Sequence, residues 1–168
     1  MTVMEAIQGR HSVRHYAAKP VEEEKLQKVL EAGRLAPSAN NEQAWKFVVV
    51  TDPELRGKMM EACHNYAFVG EAPVILAVCS DHIRSMRCGQ PARTVDCSIA
   101  LSFMMLEATE LGLGSCWIGA FEEDKVRSLL NVPPEFQIVA ITPLGYPEGK
   151  VDSHPRRPLG EIVLRESF

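Results

Sequence analysis

The sequence predicts an α+β fold, a sandwich in which helices and strands follow one another at irregular intervals. The chain has 168 residues, of which 46% are hydrophobic and 24% charged, so one domain over residues 1–168 can bury a sizeable core. Segments with helical apolar spacing alternate with short aliphatic runs that are typical of strands. Because the intervals between them vary, this architecture fits better than a doubly wound sheet.

The first half of the chain is predicted to hold three helices and two strands. Glutamates at positions 22 to 24 fill the first turn of the second helix, where negative charge is favourable. The second strand is an unbroken aliphatic run, which is typical of a buried strand. In order, the predicted elements are a helix at 1–8, a helix from Pro20 to before Pro37, a strand at 45–50, a helix from Asp52 to about Cys63, and a strand at 74–79.

The segment from Thr94 to Leu111 is predicted to be a helix that is apolar on nearly all sides. Such a helix must be covered on nearly all sides, which a small domain seldom achieves with its own chain. Two interpretations remain: a dimer interface, or a central helix wrapped by its own sheet. One stripe of large residues would suffice for a buried face, namely Val95, Ile99, Phe103, Leu106 and Leu111.

Beyond this helix the chain is predicted to form two more strands, one helix and a C-terminal arm. The arm begins at Gly145 and is extended, because prolines and glycines recur along it. The preceding elements are a strand at 115–118, a helix at 122–130 and a strand at 136–144.

Composition and charge exclude several classes of protein. The formal net charge is −4, so nothing electrostatic favours nucleic acid or an anionic membrane as a partner. The longest apolar run, Ala72 to Cys79, is too short to span a bilayer, and the N-terminus does not resemble a signal peptide. We therefore expect a cytoplasmic protein.

The cysteines and histidines do not predict a metal site. The five cysteines form no Cys-x-x-Cys pair, and their odd number suits reduced, structural thiols. A site built on Cys63, His64, His82 and Cys88 lacks a recognisable ligand spacing. The motifs of serine hydrolases, zinc proteases and P-loop proteins are absent as well. No catalytic side chain is predicted.

Two arginine-containing clusters are candidates for binding a phosphate. In an extended segment Arg10, Ser12 and Arg14 point the same way, with His11 between them. Guanidinium groups and a hydroxyl suit phosphate because arginine donates bidentate, charged hydrogen bonds. Arg156 and Arg157 stand between prolines in the arm, which restricts their backbone. A solvated basic turn is the alternative for each cluster.

Two further clusters suit a flat ring. The segment 37–43 combines small residues with amide side chains, which can both donate and accept at the edge of a heterocycle. The segment 112–121 places a glycine-flanked backbone beside Trp117. Taken alone, the first of these also fits an ordinary loop and the second a tightly packed strand end.

Together the four clusters resemble the nitroreductase family of FMN enzymes, over about Ile7 to Val163. The chain is shorter than many members, and Ala44 stands where a proline often follows Gln43, which leaves the substrate open. The four motifs, in the family's order, are Arg-x-Ser-x-Arg, Ala-Pro-Ser-x-x-Asn-x-Gln-x-Trp, Gly-Leu-Gly-Ser-Cys-Trp-Ile-Gly and Arg-Arg-Pro-Leu.

The resemblance implies a homodimer with an α/β/α sandwich, a mostly antiparallel sheet, and a C-terminal arm that reaches the partner subunit. FMN would lie in a cleft between subunits, and NADH or NADPH would donate electrons. Arg10, Ser12 and either Arg156 or Arg157 would hold the phosphate, with Arg14 near the pyrimidine edge. The remaining implied contacts are Pro37, Ser38, Ala39 and Asn41 from the partner, Asn65 at the pyrimidine edge, Trp117 beside the ring, and the backbone of Ile118, Gly119 and Ala120 near flavin N5.

The resemblance implies an oxidoreductase with ping-pong kinetics that passes hydride through flavin N5 to a small organic acceptor, such as a nitroaromatic or a quinone. Two alternatives remain: a non-catalytic dimer that binds or sequesters flavin, and a relative that consumes flavin or dehalogenates. The loop at 81–91, with Arg84, Met86, Arg87 and Cys88, is either a cover over the active site or a surface loop.

Overall fold

The computed structural model describes residues 1–149 and 154–168, and a four-stranded sheet lies at its centre. The strand order is β1-β2-β4-β3, and every neighbouring pair is antiparallel. The register pairs Phe47 with Val78 and Ala77 with Ile141. The strands are β1 (Trp45–Val50), β2 (Val74–Ser80), β3 (Gly114–Ser115) and β4 (Gln137–Gly145).

Helices connect and cover these strands, and two of them begin at caps that the sequence provides. The Thr2 hydroxyl accepts from the backbone N–H of Glu5, whose carboxylate accepts from the N–H of Thr2. Asp52 accepts from the N–H of Leu55 at 2.8 Å. The helices are α1 (Val3–Gly9), α2 (Glu23–Arg34), a 3-10 turn (Ala39–Asn41), α3 (Pro53–Ala62), α4 (Ala67–Glu71), α5 (Ala92–Glu110), α6 (Glu123–Leu130) and α7 (Leu159–Ile162).

A hydrophobic core lies on each face of the sheet. Because side chains alternate along β2, Leu76 and Val78 face α2 and α5, whereas Ile75 and Ala77 face the other side. On that other side α3, α4 and α6 complete the second core. The predicted α/β/α sandwich with an antiparallel sheet is therefore confirmed.

Helix α5 packs on the sheet through small residues and methionines, and its stripe of large residues lies on the outer side. Its fully buried residues include Cys97, Ala100, Leu101, Met104 and Ala108, which pack on the sheet and α2. The stripe of large residues is half-buried at Val95, Ile99, Leu106 and Leu111, and Phe103 is 40% exposed. Small residues and methionines allow the sheet to approach closely, so the chain leaves its bulkier stripe uncovered.

Several element boundaries differ from prediction. The second helix begins at Glu23, three residues after Pro20, and α4 was not predicted because one short turn has no repeating apolar pattern. The strand predicted at 115–118 is reduced to β3 and one bridge between Ile118 and Ile141.

The C-terminal arm is only partly extended. Pro147 pairs with Tyr16 and the N–H of Glu148 donates to the carbonyl of His15, so the chain stays on the domain to that point. Residues 150–153 of the predicted arm lie outside the described residues. Residues 154–168 are exposed throughout and contain α7.

The cysteines are free, and four of the five are buried. Burial raises the pKa of the Cys63 and Cys79 thiols to about 11 and that of Cys97 to about 12. These thiols stay protonated at neutral pH and act as small core residues, as the sequence indicates for Cys79 and Cys97.

Candidate functional site

The first arginine cluster lies at the junction between α1 and β3. The N–H of Arg10 ends α1 by donating to the carbonyl of Ala6. The chain then runs beside β3, where the N–H of Val13 donates to the carbonyl of Ser115 at 3.0 Å. This approach requires Gly114, because a Cβ there would lie 2.5 Å from Cγ2 of Val13. Packing of Val13 therefore fixes where Arg10 and Ser12 stand.

Arg10, Ser12 and Trp117 line one open pocket of about 330 Å³. The opposite wall comes from α5, through Ser102, Met105 and Leu106. Trp117 remains 37% exposed although its neighbours Cys116 and Ile118 are buried. The pocket thus combines a guanidinium and a hydroxyl with an aromatic ring and an apolar wall. A larger pocket, of about 520 Å³, lies around Pro20 and Arg56 and contains none of the predicted site residues.

Arg14 lies close to the pocket, because its charge influences the pKa of the Cys116 thiol. Burial raises the pKa of this thiol, while the charges of Arg14 and Arg10 and a hydrogen bond with Ser12 act in the opposite direction. The net effect is a rise, so the thiol stays protonated and is a poor nucleophile. Arg14 itself is exposed and does not line the pocket.

The backbone after Trp117 differs from expectation at one position. The N–H of Ile118 donates to the carbonyl of Ile141 at 2.9 Å, and the N–H of Ile141 donates back at 3.1 Å. Ile118 is also buried, so its N–H is not available to a ligand, contrary to the expectation for this residue. Gly119 and Ala120 follow it and are both exposed. Because Ile118 is bonded to β4, the backbone groups that remain available to a ligand are those of Gly119 and Ala120.

The segment at 37–43 has an unusual backbone. Asn40, Asn41 and Gln43 have φ of 50°, 56° and 51°, in the left-handed region that side-chain-bearing residues rarely adopt. The N–H of Ala39 donates to Oδ1 of Asp96 at 3.0 Å, and the N–H of Gln43 donates to the Ser38 hydroxyl at 3.0 Å. Pro37 and Asn41 are exposed, while Ser38 and Ala39 are half-buried.

The other residues that were predicted to bind FMN do not line this pocket within one chain. Asn65 is exposed, with φ of 58°, and Phe68 of the following α4 packs against Val13 and Tyr16. Helix α4 therefore lies beside the first cluster. His11 is half-buried between Arg10 and Ser12. Arg156 and Arg157 are exposed, and no ion pair involves either of them within residues 1–149 and 154–168.

The sequence analysis did not identify the role of Asp96 or the contacts that Glu42 makes. Asp96 is 4% exposed on α5, and Glu42 lies 3.0 Å from Nδ1 of His82 and also pairs with Arg84. A charged residue inside an apolar helical pattern was a signal for Asp96. No sequence pattern indicated the pairing of Glu42 with the residues after β2, since it depends on how two distant loops meet.

The residues that the structure describes include no group of three or more histidine, cysteine or acidic side chains that could hold a metal ion. Across the same residues, no helix is long and apolar enough to cross a membrane.

Comparison with known proteins identifies the class of protein that this fold and pocket define. A nitroreductase family protein from Clostridium difficile superimposes with a TM-score of 0.90 at 34% identity, covering all of both chains. An FMN-dependent nitroreductase from Clostridium difficile R20291 gives 0.85 at 30% identity, covering 98% of this chain and 99% of the other. An NADH dehydrogenase of Thermus thermophilus is 33% identical over 187 residues, covering 92% of this chain and 91% of that protein.

The model of the nitroreductase family matches residues 7–67 and 62–146. This chain belongs to the nitroreductase family, as its four motifs predicted. The matched range contains the pocket at Arg10, Ser12 and Trp117 together with the 37–43 segment.

Proposed function

We propose that this chain is an FMN-dependent oxidoreductase that takes hydride from NADH or NADPH and passes it to a small organic acceptor, such as a nitroaromatic or a quinone. The predicted class of enzyme and its cofactors agree with the names of its relatives, an FMN-dependent nitroreductase and an NADH dehydrogenase. The observation that carries the proposal is that Arg10, Ser12 and Trp117 share one pocket.

The chemistry of this pocket fits a phosphorylated, planar group. Arg10 and Ser12 offer a guanidinium and a hydroxyl, the donors that bind phosphate best. The Trp117 ring and the wall from Met105 and Leu106 suit an aromatic surface. Bound FMN would supply the hydride transfer, and the residues of the pocket would supply binding, orientation and charge.

Within this proposal each residue has one task. Arg10 and Ser12 hold the phosphate together with Arg156 or Arg157, while Arg14 supplies positive charge near the pyrimidine edge, where Asn65 donates as well. Gly119 and Ala120 direct backbone groups at N5, which orients the ring without a titrating residue. Pro37, Ser38, Ala39 and Asn41 approach the ring from the partner subunit.

Two features of the surface support a homodimer. The outer stripe of α5 contributes Phe103 and Leu106 to an apolar groove of about 430 Å³, which α1 and α2 line with Val3 and Leu35. Val3 and Leu35 are mostly exposed in the single chain. A continuous apolar groove beside an apolar helix is typical of a surface that a second copy covers. The arm, exposed throughout residues 154–168, would then lie on the partner.

We also propose that the protein works in the cytoplasm. Its buried thiols are free, which suits a reducing compartment.

Steady-state oxidation of NADH or NADPH with an acceptor is expected to follow ping-pong kinetics, because donor and acceptor use the same flavin face in turn. Double-reciprocal plots at several acceptor concentrations should give parallel lines. The half-reactions can be followed separately by flavin bleaching with each nicotinamide and reoxidation by a panel of nitroaromatics and quinones.

The same experiment distinguishes the alternatives. A flavin that stays oxidised with both nicotinamides would identify a non-catalytic flavin-binding dimer. Consumption of free reduced flavin, with loose retention of FMN, would identify a flavin-consuming enzyme. Intersecting lines would contradict alternating use of one site.

A further inference from the structure

The segment Ser38–Gln43 concentrates several unfavourable features in one place. Asn40, Asn41 and Gln43 all adopt left-handed backbone angles without being glycine. Asparagine tolerates this region better than other residues with side chains, so Gln43 is the costliest of the three and persists there only where its surroundings hold it. In natural proteins, breaches of local preference cluster at functional sites.

A buried carboxylate holds one end of this segment. Asp96 lies on α5 beside Cys97 and Ala100 of the apolar core, is 4% exposed, and accepts the N–H of Ala39 through Oδ1 at 3.0 Å. Burying a carboxylate is unfavourable unless its hydrogen bonds compensate. Asp96 is therefore costly for the core, but it fixes the backbone at Ala39.

A second carboxylate holds the other end. Glu42 accepts a hydrogen bond from Nδ2 of Asn40 at 3.3 Å, lies 3.0 Å from Nδ1 of His82, and pairs with Arg84. His82 in turn has a buried Nε2 with no hydrogen-bond partner in the described part of the chain. A buried nitrogen without a hydrogen-bond partner is unfavourable for stability. The position of His82 is therefore better explained by its contact with Glu42 than by the stability of the core.

We propose that Asp96 and Glu42 are positioning residues that hold Ser38–Gln43 in its strained shape, so that the amide groups of this loop meet the edge of the flavin bound in the partner subunit. This inference rests on the proposed function. Asp96 acts through Ala39, and Glu42 acts through Asn40. Because Glu42 also binds Arg84, the candidate cover loop at 81–91 is fixed to the same unit.

The test compares FMN affinity, the midpoint potential of bound FMN and the melting temperature in full-length variants. Asp96→Ala removes the acceptor and is expected to raise the FMN dissociation constant about tenfold, the size of one lost charged hydrogen bond. Asp96→Asn keeps an acceptor oxygen and should restore affinity to within about threefold of the wild type. Glu42→Gln keeps an acceptor for Asn40 but removes the negative charge that pairs with Arg84 and lies beside His82. At this exposed position it should weaken binding less than Asp96→Ala does, by about threefold.

The midpoint potential separates positioning from mere stability. Amide donors at the pyrimidine edge favour the negatively charged reduced flavin, so the potential should become more negative in Asp96→Ala and Glu42→Gln. Glu54→Gln removes an exposed pair with Lys58 on α3 and should change neither affinity nor potential.

Unchanged affinity and potential in Asp96→Ala and Glu42→Gln, whether or not the melting temperature falls, would overturn the positioning role. A wild-type protein that binds no FMN would instead remove the proposed function, and this inference with it. If Asp96→Ala does not fold, the FMN affinity and midpoint potential of Glu42→Gln decide the matter.

Discussion

A chain shortened to end at Ser153 is expected to be a folded monomer whose affinity for FMN has fallen at least about a hundredfold. All residues from 154 to 168 are exposed, so their removal uncovers none of either core. The arm nevertheless carries large apolar side chains, with Leu159 72% and Ile162 60% exposed, beside Arg156 and Arg157. Large apolar side chains that are exposed along residues 154–168 are suited to a partner's surface.

The measurements are light scattering after size-exclusion chromatography and a flavin fluorescence titration. The matched control is the full-length double variant Arg156→Ala with Arg157→Ala, which should remain a dimer and lose only the phosphate contacts. A shortened chain that remains dimeric and binds FMN normally would contradict the role of the arm. If the control variant is a monomer whose FMN affinity has fallen as far, the charge of the arginines, not apolar contact, joins the subunits.

Arg10→Ala is expected to weaken FMN binding by about tenfold to 150-fold, which corresponds to roughly 1.5–3 kcal/mol for hydrogen bonds to a charged group. Arg10 lines the pocket with Ser12, and the packing of Val13 against Gly114 fixes its backbone. Its N–H still ends α1 in the variant, so the fold should be retained. Arg10→Lys should bind with intermediate affinity, because lysine cannot make a bidentate contact with phosphate.

The affinity is measured by titrating apoprotein with FMN, and riboflavin serves as the probe without a phosphate. Riboflavin binding should barely change in Arg10→Ala if this residue contacts only the phosphate. Lys58→Ala, which removes an exposed cation on α3, is the control for general charge effects. Unchanged FMN affinity in Arg10→Ala would place the phosphate elsewhere.

The sequence predicted the sheet and the long helices well because their patterns are long and regular. Strand β1 falls on the predicted residues, and α5 begins two residues before and ends one residue before its predicted limits. Asp52 and Pro53 marked the start of α3 through a cap and a first-turn proline, which are local signals. Such signals act within a few residues and can be recognised without the fold.

The sequence left open which face of α5 packs on the sheet, because size is a poor guide to burial in a helix that is apolar all round. Ala100 and Ala108 are completely buried since they allow the sheet to come close, whereas Phe103 remains on the outside. Which face packs inward depends on the shape of the sheet and of α2, and no count of apolar residues contains that information.

The candidate site was predictable where one segment supplies several of the residues that line the pocket. Arg10 and Ser12 stand two residues apart, and the pocket contains both. The pairing of Ile118 with Ile141 could not be predicted, because it joins residues that are distant in the sequence. The contact between Glu42 and His82 depends in the same way on two loops that meet only in the folded chain.

The absorbance spectrum of the purified protein, recorded as it leaves a size-exclusion column coupled to light scattering, tests the central claim most directly. A yellow dimer that releases one FMN per subunit on denaturation is the predicted result, since the proposed site combines Arg10 and Ser12 of one subunit with the 37–43 segment of the other. A colourless protein that takes up no FMN, or a monomer that binds it at full strength, would contradict a flavin site shared between two subunits.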